Sequence, residues 1–68
     1  MFYIVEHDMG VHQIIDNKGK ANKYGKAKLF NTENDALHWL LRHKKGMTAT
    51  QPYYEVKEAT EEEIKRWE

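Results

Sequence analysis

The densest run of chemistry-bearing residues is Lys18-Gly19-Lys20-Ala21-Asn22-Lys23-Tyr24-Gly25-Lys26-Ala27-Lys28, with five lysines, one tyrosine and no acid. Lysines spaced along a turn and the strand that follows can each pair with a phosphate, and Tyr24 can stack on a base or lie against a sugar. The same pattern suits a solvated hairpin whose edge is kept from aggregating by lysine charge. Base-edge readout favours Arg, Asn and Gln, and only Asn17 and Asn22 are near at hand. Binding through this stretch would therefore be to the backbone and sensitive to salt. Arg42, Lys44 and Lys45 make a second basic group, which assists if it faces the same way.

The chain has four histidines, His7, His12, His38 and His43. If the first hairpin loop spans Asp8–Val11, His7 and His12 become cross-strand neighbours, and two imidazoles at that separation can share a metal ion. Asp8 and Asp16 could add ligands, but no spacing matches a metal-site motif, so no metal or other cofactor is assigned. His38 falls opposite the apolar stripe of its helix, and His43 shares a face with Trp39. Tyr3, Trp39, Tyr53 and Trp67 form a candidate partner-binding set, since aromatics with polar tips are typical of interfaces. In so small a domain the same residues also suit the core. Catalysis has little to stand on. Ser and Cys are absent, no threonine or tyrosine is paired with a base by a local signature, and there is no glycine-rich phosphate loop. The residues imply a protein that is not an enzyme.

Sixty-eight residues make one domain, residues 1–68. A chain of this size buries roughly 60% of the surface its unfolded form exposes, which leaves little room for an enclosed ligand pocket. Without cysteine there are no disulfide or thiolate–zinc staples, so the core must be well packed or extended by a partner such as a second copy. No apolar run approaches ~18 residues and the N-terminus lacks the basic start of a signal peptide, so the expected setting is cytoplasmic, away from membranes. The formal net charge is zero but segregated, with an excess of acid before residue 17 and after residue 50 and an excess of base between them. A segregated zero lets one face present a positive field.

The elements that must position these groups are legible in outline. Phe2–His7 and Val11–Asp16 are rich in aromatic and β-branched residues and read as two strands joined through Asp8-Met9-Gly10. Asp16-Asn17-Lys18-Gly19 is a turn signal, and Lys26–Phe30 reads as a third strand, starting as early as Tyr24 with Gly25 at a kink. Thr32 and Asp35 have the spacing of a capping box for a helix over Glu33–Lys44, with Gly46 as its C-terminal cap. On that helix Ala36, Leu37, Leu40 and Leu41 share one face, and Trp39 lies at its margin. Met47–Pro52 reads as a polar connection. Tyr53–Ala59 alternates as a fourth strand, and Thr60 with Glu63 is a strict capping box for a short helix anchored by Ile64 and Trp67. The fold class is α+β, a mainly antiparallel four-stranded sheet in the order β-β-β-α-β-α. The long helix covers one face, and the fourth strand runs parallel to the third if it joins the same sheet.

Two local resemblances follow from these residues. Phe2-Tyr3-Ile4-Val5 with Ala27-Lys28-Leu29-Phe30-Asn31-Thr32 and Ala36 resembles the hybrid-binding domain at the N-terminus of some ribonucleases H. The phrase from Phe30 through Thr32 and Ala36 to Trp39-Leu40 is similar to the arm-DNA-binding domains of some phage integrases. Both are three-stranded sheets backed by a helix that bind nucleic acid through strands or loops, and residues 2–41 at most are covered. The tryptophan-bearing middle of the first and the arginine-rich strands of the second have no equivalent here. Together these readings point to a small binding protein that contacts nucleic-acid backbone through Lys18, Lys20, Lys23, Tyr24, Lys26 and Lys28. Such proteins occur among the accessory factors of phages and mobile elements. The competing reading is a protein-binding adaptor or inhibitor, as a monomer or a homodimer, using an uncovered sheet face or the acidic C-terminal surface.

Overall fold

The computed structural model describes residues 1–44 and 53–68. The expectations for Lys45, the Gly46 cap and the connection through Pro52 lie outside the described residues. The elements are β1 (Phe2–Asp8), β2 (Val11–Ile15), β3 (Ala21–Asn22), α1 (Glu33–His43), β4 (Tyr53–Glu58) and α2 (Glu61–Trp67). They form the α+β fold and the β-β-β-α-β-α order that the residue pattern implies. The sheet order is β3-β2-β1-β4, and each neighbouring pair is antiparallel. β1 is therefore an inner strand, and it is also the most buried one, with Tyr3, Ile4 and Val5 in the core.

The third strand departs from expectation. The β-rich composition of Lys26–Phe30 suggests a strand there, but the ladder to β2 is made by Ala21 and Asn22, opposite Ile15 and Ile14. The Asn22 side-chain oxygen accepts hydrogen bonds from the backbone N–H of Tyr24 (2.9 Å) and of Gly25 (3.0 Å). This Asx turn competes with the ladder and ends the strand after two residues. Residues 26–30 then touch the sheet at two isolated bridges, Asp16 with Ala27 and Phe2 with Phe30. The extra reversal means that β4 runs opposite to β3 and not parallel to it, and β4 pairs with β1 across its whole length.

Both faces of β1 are covered. On one, Ile4, Ile15 and Phe30 pack with Ala36 and Leu40 of α1. On the other, Tyr3 and Val5 pack with Ala27, Ala59 and Trp67, with Ile64 against them. The face away from α1 is thus closed over its first half by α2, which removes the uncovered apolar surface that a partner was expected to use. Ile4 and Ile15 are fully buried, and truncating either to Ala would cost about 2–5 kcal/mol.

Caps set both helices. At α1, Thr32 Oγ1 accepts from the Asp35 N–H at 3.1 Å. The return bond to the Thr32 N–H is not made, because Asp is one methylene shorter than the Glu that a full box employs. At α2 both halves form, Glu63 N–H to Thr60 Oγ1 at 3.2 Å and Thr60 N–H to Glu63 Oε1 at 3.0 Å. The Thr60 N–H draws the Glu63 carboxyl below the usual carboxylate range, against a smaller opposing effect of burial. Glu63 also accepts from the Tyr3 hydroxyl at 3.2 Å, so the box that starts α2 holds the helix to β1.

Candidate functional site

The Asp16 side chain organises the turn that carries the first lysines. Asp16 Oδ1 accepts from the backbone N–H groups of Lys18 (2.9 Å) and Lys20 (3.0 Å). The Asp16 main-chain carbonyl accepts from the Gly19 N–H at 2.9 Å. These bonds, the one from Lys20 foremost, hold the Asp16 carboxyl below its ordinary range despite a partial opposing effect of burial. The turn is therefore a closed unit whose acid is spent on its own backbone, while the Lys18 and Lys20 side chains point away from the core and are exposed.

Gly19 joins this turn to α1. Its φ of +80° is a left-handed value that glycine adopts without penalty, and a Cβ at this position would stand 3.2 Å from Cζ2 of Trp39. The indole therefore lies directly on the turn. Trp39 meets Phe30 edge to face at 6.2 Å between centroids. It is half-buried, as its place at the margin of the helical stripe suggests. Its ring also stacks on His43, one helical turn later, with centroids 4.6 Å apart and planes 19° off parallel. His43 Nδ1 and the Trp39 carbonyl lie 3.0 Å apart. A carbonyl can only accept, so the proton sits on Nδ1 and Nε2 is left free.

Seating Trp39 on the turn rolls α1 about its axis. Ala36 and Leu40 are buried as expected, but Leu37 is half exposed and Leu41 is 70% exposed. The packed stripe is Ala36, Trp39 and Leu40, roughly a quarter turn from the stripe that pure hydrophobicity selects.

A cleft of about 340 Å³ opens between the turn and the end of α1, lined by Asn17, Lys18, Gly19, Lys28, Trp39, His43 and Lys44. It contains three lysines and no acid. A neighbouring depression shares Trp39 and His43 and adds Phe30, Asp35, His38 and Arg42. The two basic groups seen in the sequence thus meet in part, with Lys18 and Lys28 from the first and Lys44 and Arg42 from the second gathered around one aromatic stack.

The remaining sequence candidates separate from this cleft. Lys23 and Tyr24 line a different depression, with Ile14, Gly25, Arg66 and Trp67. Tyr24 is 88% exposed, and Lys23 Nζ stands 5.8 Å from its ring centroid. Lys26 Nζ donates to the main-chain carbonyl of Glu68 at 3.2 Å. Lys20 is exposed and lines neither depression.

Burial removes two members of the partner-binding set. Tyr3 and Trp67 are core residues, packed edge to face with centroids 4.8 Å apart. Burial, with Glu63 adding to it, raises the Tyr3 hydroxyl pKa. Tyr53 stays half exposed and stacks on His7 at 4.7 Å. Asn17, Gly19 and His43 line the cleft although they were not among the expected site residues. The signals for them were the Asp16-Asn17-Lys18-Gly19 turn and the Trp39–His43 spacing of one helical turn.

The histidine pair forms as the hairpin implies. Met9 and Gly10 both have positive φ, 50° and 83°, the signature of a two-residue turn that places His7 opposite His12. Their Nδ1 atoms face each other at hydrogen-bond distance, and His7 Nε2 lies 2.9 Å from Glu55 Oε1. No protein-family model matches the chain, and no curated protein or solved structure matches it either, so the role of these surfaces is argued from their residues.

Proposed function

We propose that this protein binds the sugar–phosphate backbone of nucleic acid at the cleft between the Asp16–Gly19 turn and the end of α1. One observation carries the reading. Lys18, Lys28 and Lys44, far apart in sequence, line one concave, acid-free surface beside a half-buried tryptophan. Three ammonium groups set round a depression suit phosphate oxygens, and the exposed side of the Trp39–His43 stack suits a base or sugar. Asn17 adds a neutral donor and acceptor. Arg42 extends the positive surface past His43. The reading favours single strands, whose unstacked bases can reach an aromatic platform that the paired and stacked bases of a duplex cannot.

The test is binding of fluorescent single-stranded, duplex and RNA–DNA hybrid oligonucleotides at low salt. The expected order places the single strand first, with little dependence on sequence. Absence of binding to all three, with the fold intact, would overturn the proposal.

A protein-binding role has one specific observation in its favour. Leu37 and Leu41 present an exposed apolar pair one turn apart on α1, a residue pattern suited to a homodimer or an adaptor contact. Sedimentation of the wild-type protein and of Leu41→Glu separates the two readings. A dimer lost on substitution favours contact between two copies, and a monomer in both cases removes the homodimer.

A further inference from the structure

The half of the sheet face that α2 leaves open is occupied by a polar array across three strands. His12 on β2, His7 on β1 and Tyr53 on β4 are in register, and Glu55 lies diagonally from His7. From this arrangement we propose a metal site: His7 and His12 clasp one borderline divalent transition ion of the Zn2+, Ni2+ and Cu2+ class through their Nδ1 atoms.

Four features support it. First, both Nδ1 atoms point at the same spot, where an ion could replace the proton they share. Tetrahedral zinc with nitrogen ligands at about 2.0–2.1 Å places those nitrogens about 3.3 Å apart, so small side-chain rotations suffice. Second, His7 Nε2 faces Glu55 Oε1 at 2.9 Å. An ionised carboxylate only accepts, so the proton is held on Nε2 and the Nδ1 lone pair is directed at the ion. A carboxylate behind a histidine also raises its basicity as a ligand. Third, the His7 ring is fixed in plane by Tyr53, stacked at 4.7 Å and 12° from parallel, while the His12 ring crosses it at 75°. Fourth, His12 is exposed, so water or an external ligand can complete the coordination. Among the described residues no third His, Cys, Asp or Glu converges on the spot. The protein then supplies two ligands and leaves open positions, and imidazole nitrogen selects the late first-row metals over Mg2+ or Ca2+.

Bound there, the ion would join β1 to β2 across the end of the hairpin. This site is independent of the lysine cleft, and its success or failure says nothing about nucleic-acid binding.

The experiment titrates the full chain with ZnCl2, followed by the histidine ring resonances and by thermal melting. The expected result is one ion per chain, with the His7 and His12 rings shifting and those of His38 and His43 unmoved. The midpoint should rise by roughly 10–20 °C when zinc exceeds its dissociation constant a hundredfold. His12→Gln, an exposed substitution that leaves the core intact, should abolish both effects, and Glu55→Gln should weaken binding 10-fold or more. His38→Gln should change neither. Unmoved His7 and His12 resonances at millimolar zinc, undiminished binding by His12→Gln, or one ion shared between two chains would each overturn the proposal.

Discussion

The Trp39 indole lies on the backbone of Gly19, close enough that a Cβ there would stand 3.2 Å from Cζ2. This contact brings the lysine turn and the basic end of α1 onto one surface, and it explains why α1 is rolled away from its simplest apolar stripe. Gly19→Ala combines a strained left-handed backbone with a displaced indole. It should destabilise the fold by about 1–2 kcal/mol, read as a drop in the denaturation midpoint, and should also weaken oligonucleotide binding.

The two tryptophans separate the site from the core. Trp39 borders the cleft, whereas Trp67 is packed on Tyr3. Oligonucleotide binding should quench the fluorescence of Trp67→Phe, which retains only Trp39, and should leave that of Trp39→Phe nearly unchanged. Equal quenching of both would place the ligand elsewhere.

Helix caps give a stability test that leaves the cleft untouched. Thr60→Ala removes the side-chain half of the α2 box, the bond from the Glu63 N–H to Thr60 Oγ1, and leaves the backbone N–H of residue 60 to hold the Glu63 carboxylate. A loss of about 1–2 kcal/mol is expected in urea denaturation. Thr32→Ala, which likewise removes one side-chain bond, should lose about 1 kcal/mol.

Stability should fall at both extremes of pH. Asp16 and Glu63 have folded pKa values below their unfolded ones. The stability they contribute is present above the unfolded values, near 4, and is lost as pH drops through the folded values. Tyr54 is opposite in sign. Burial, and then its hydrogen bond to Glu6 at 3.0 Å, push its hydroxyl up to about 12. Its contribution is complete below the unfolded pKa of about 10 and is lost as pH rises toward 12. Melting curves across both ranges should show these losses. Asp16→Ala should flatten the acid limb and Tyr54→Phe the alkaline one.

Much of this architecture was legible in local pattern. The Thr60 box, the His7–His12 register and the Asp16–Gly19 turn all depend on residues near one another in the chain, and all form. The third strand was not, because one side chain, Asn22, diverts two backbone N–H groups that strand composition alone would assign to a ladder. The roll of α1 was also hidden, since it depends on Trp39 meeting a glycine distant in sequence. For the same reason, the lysine run reads as one patch although Lys18 and Lys28 turn to the cleft and Lys23 and Lys26 turn toward the end of α2. Identifying a site required knowing which cations share a concavity, and that is a tertiary property.

The most direct test of the lysine cleft is the salt dependence of single-stranded oligonucleotide affinity, compared between the wild type and Lys18→Ala/Lys28→Ala/Lys44→Ala. Each phosphate contact on a single strand contributes about 0.7 to the slope of log affinity against log salt. The account predicts that the triple variant keeps its fold and loses about 2 from that slope, with the larger affinity loss at low salt. An unchanged slope and affinity would contradict it.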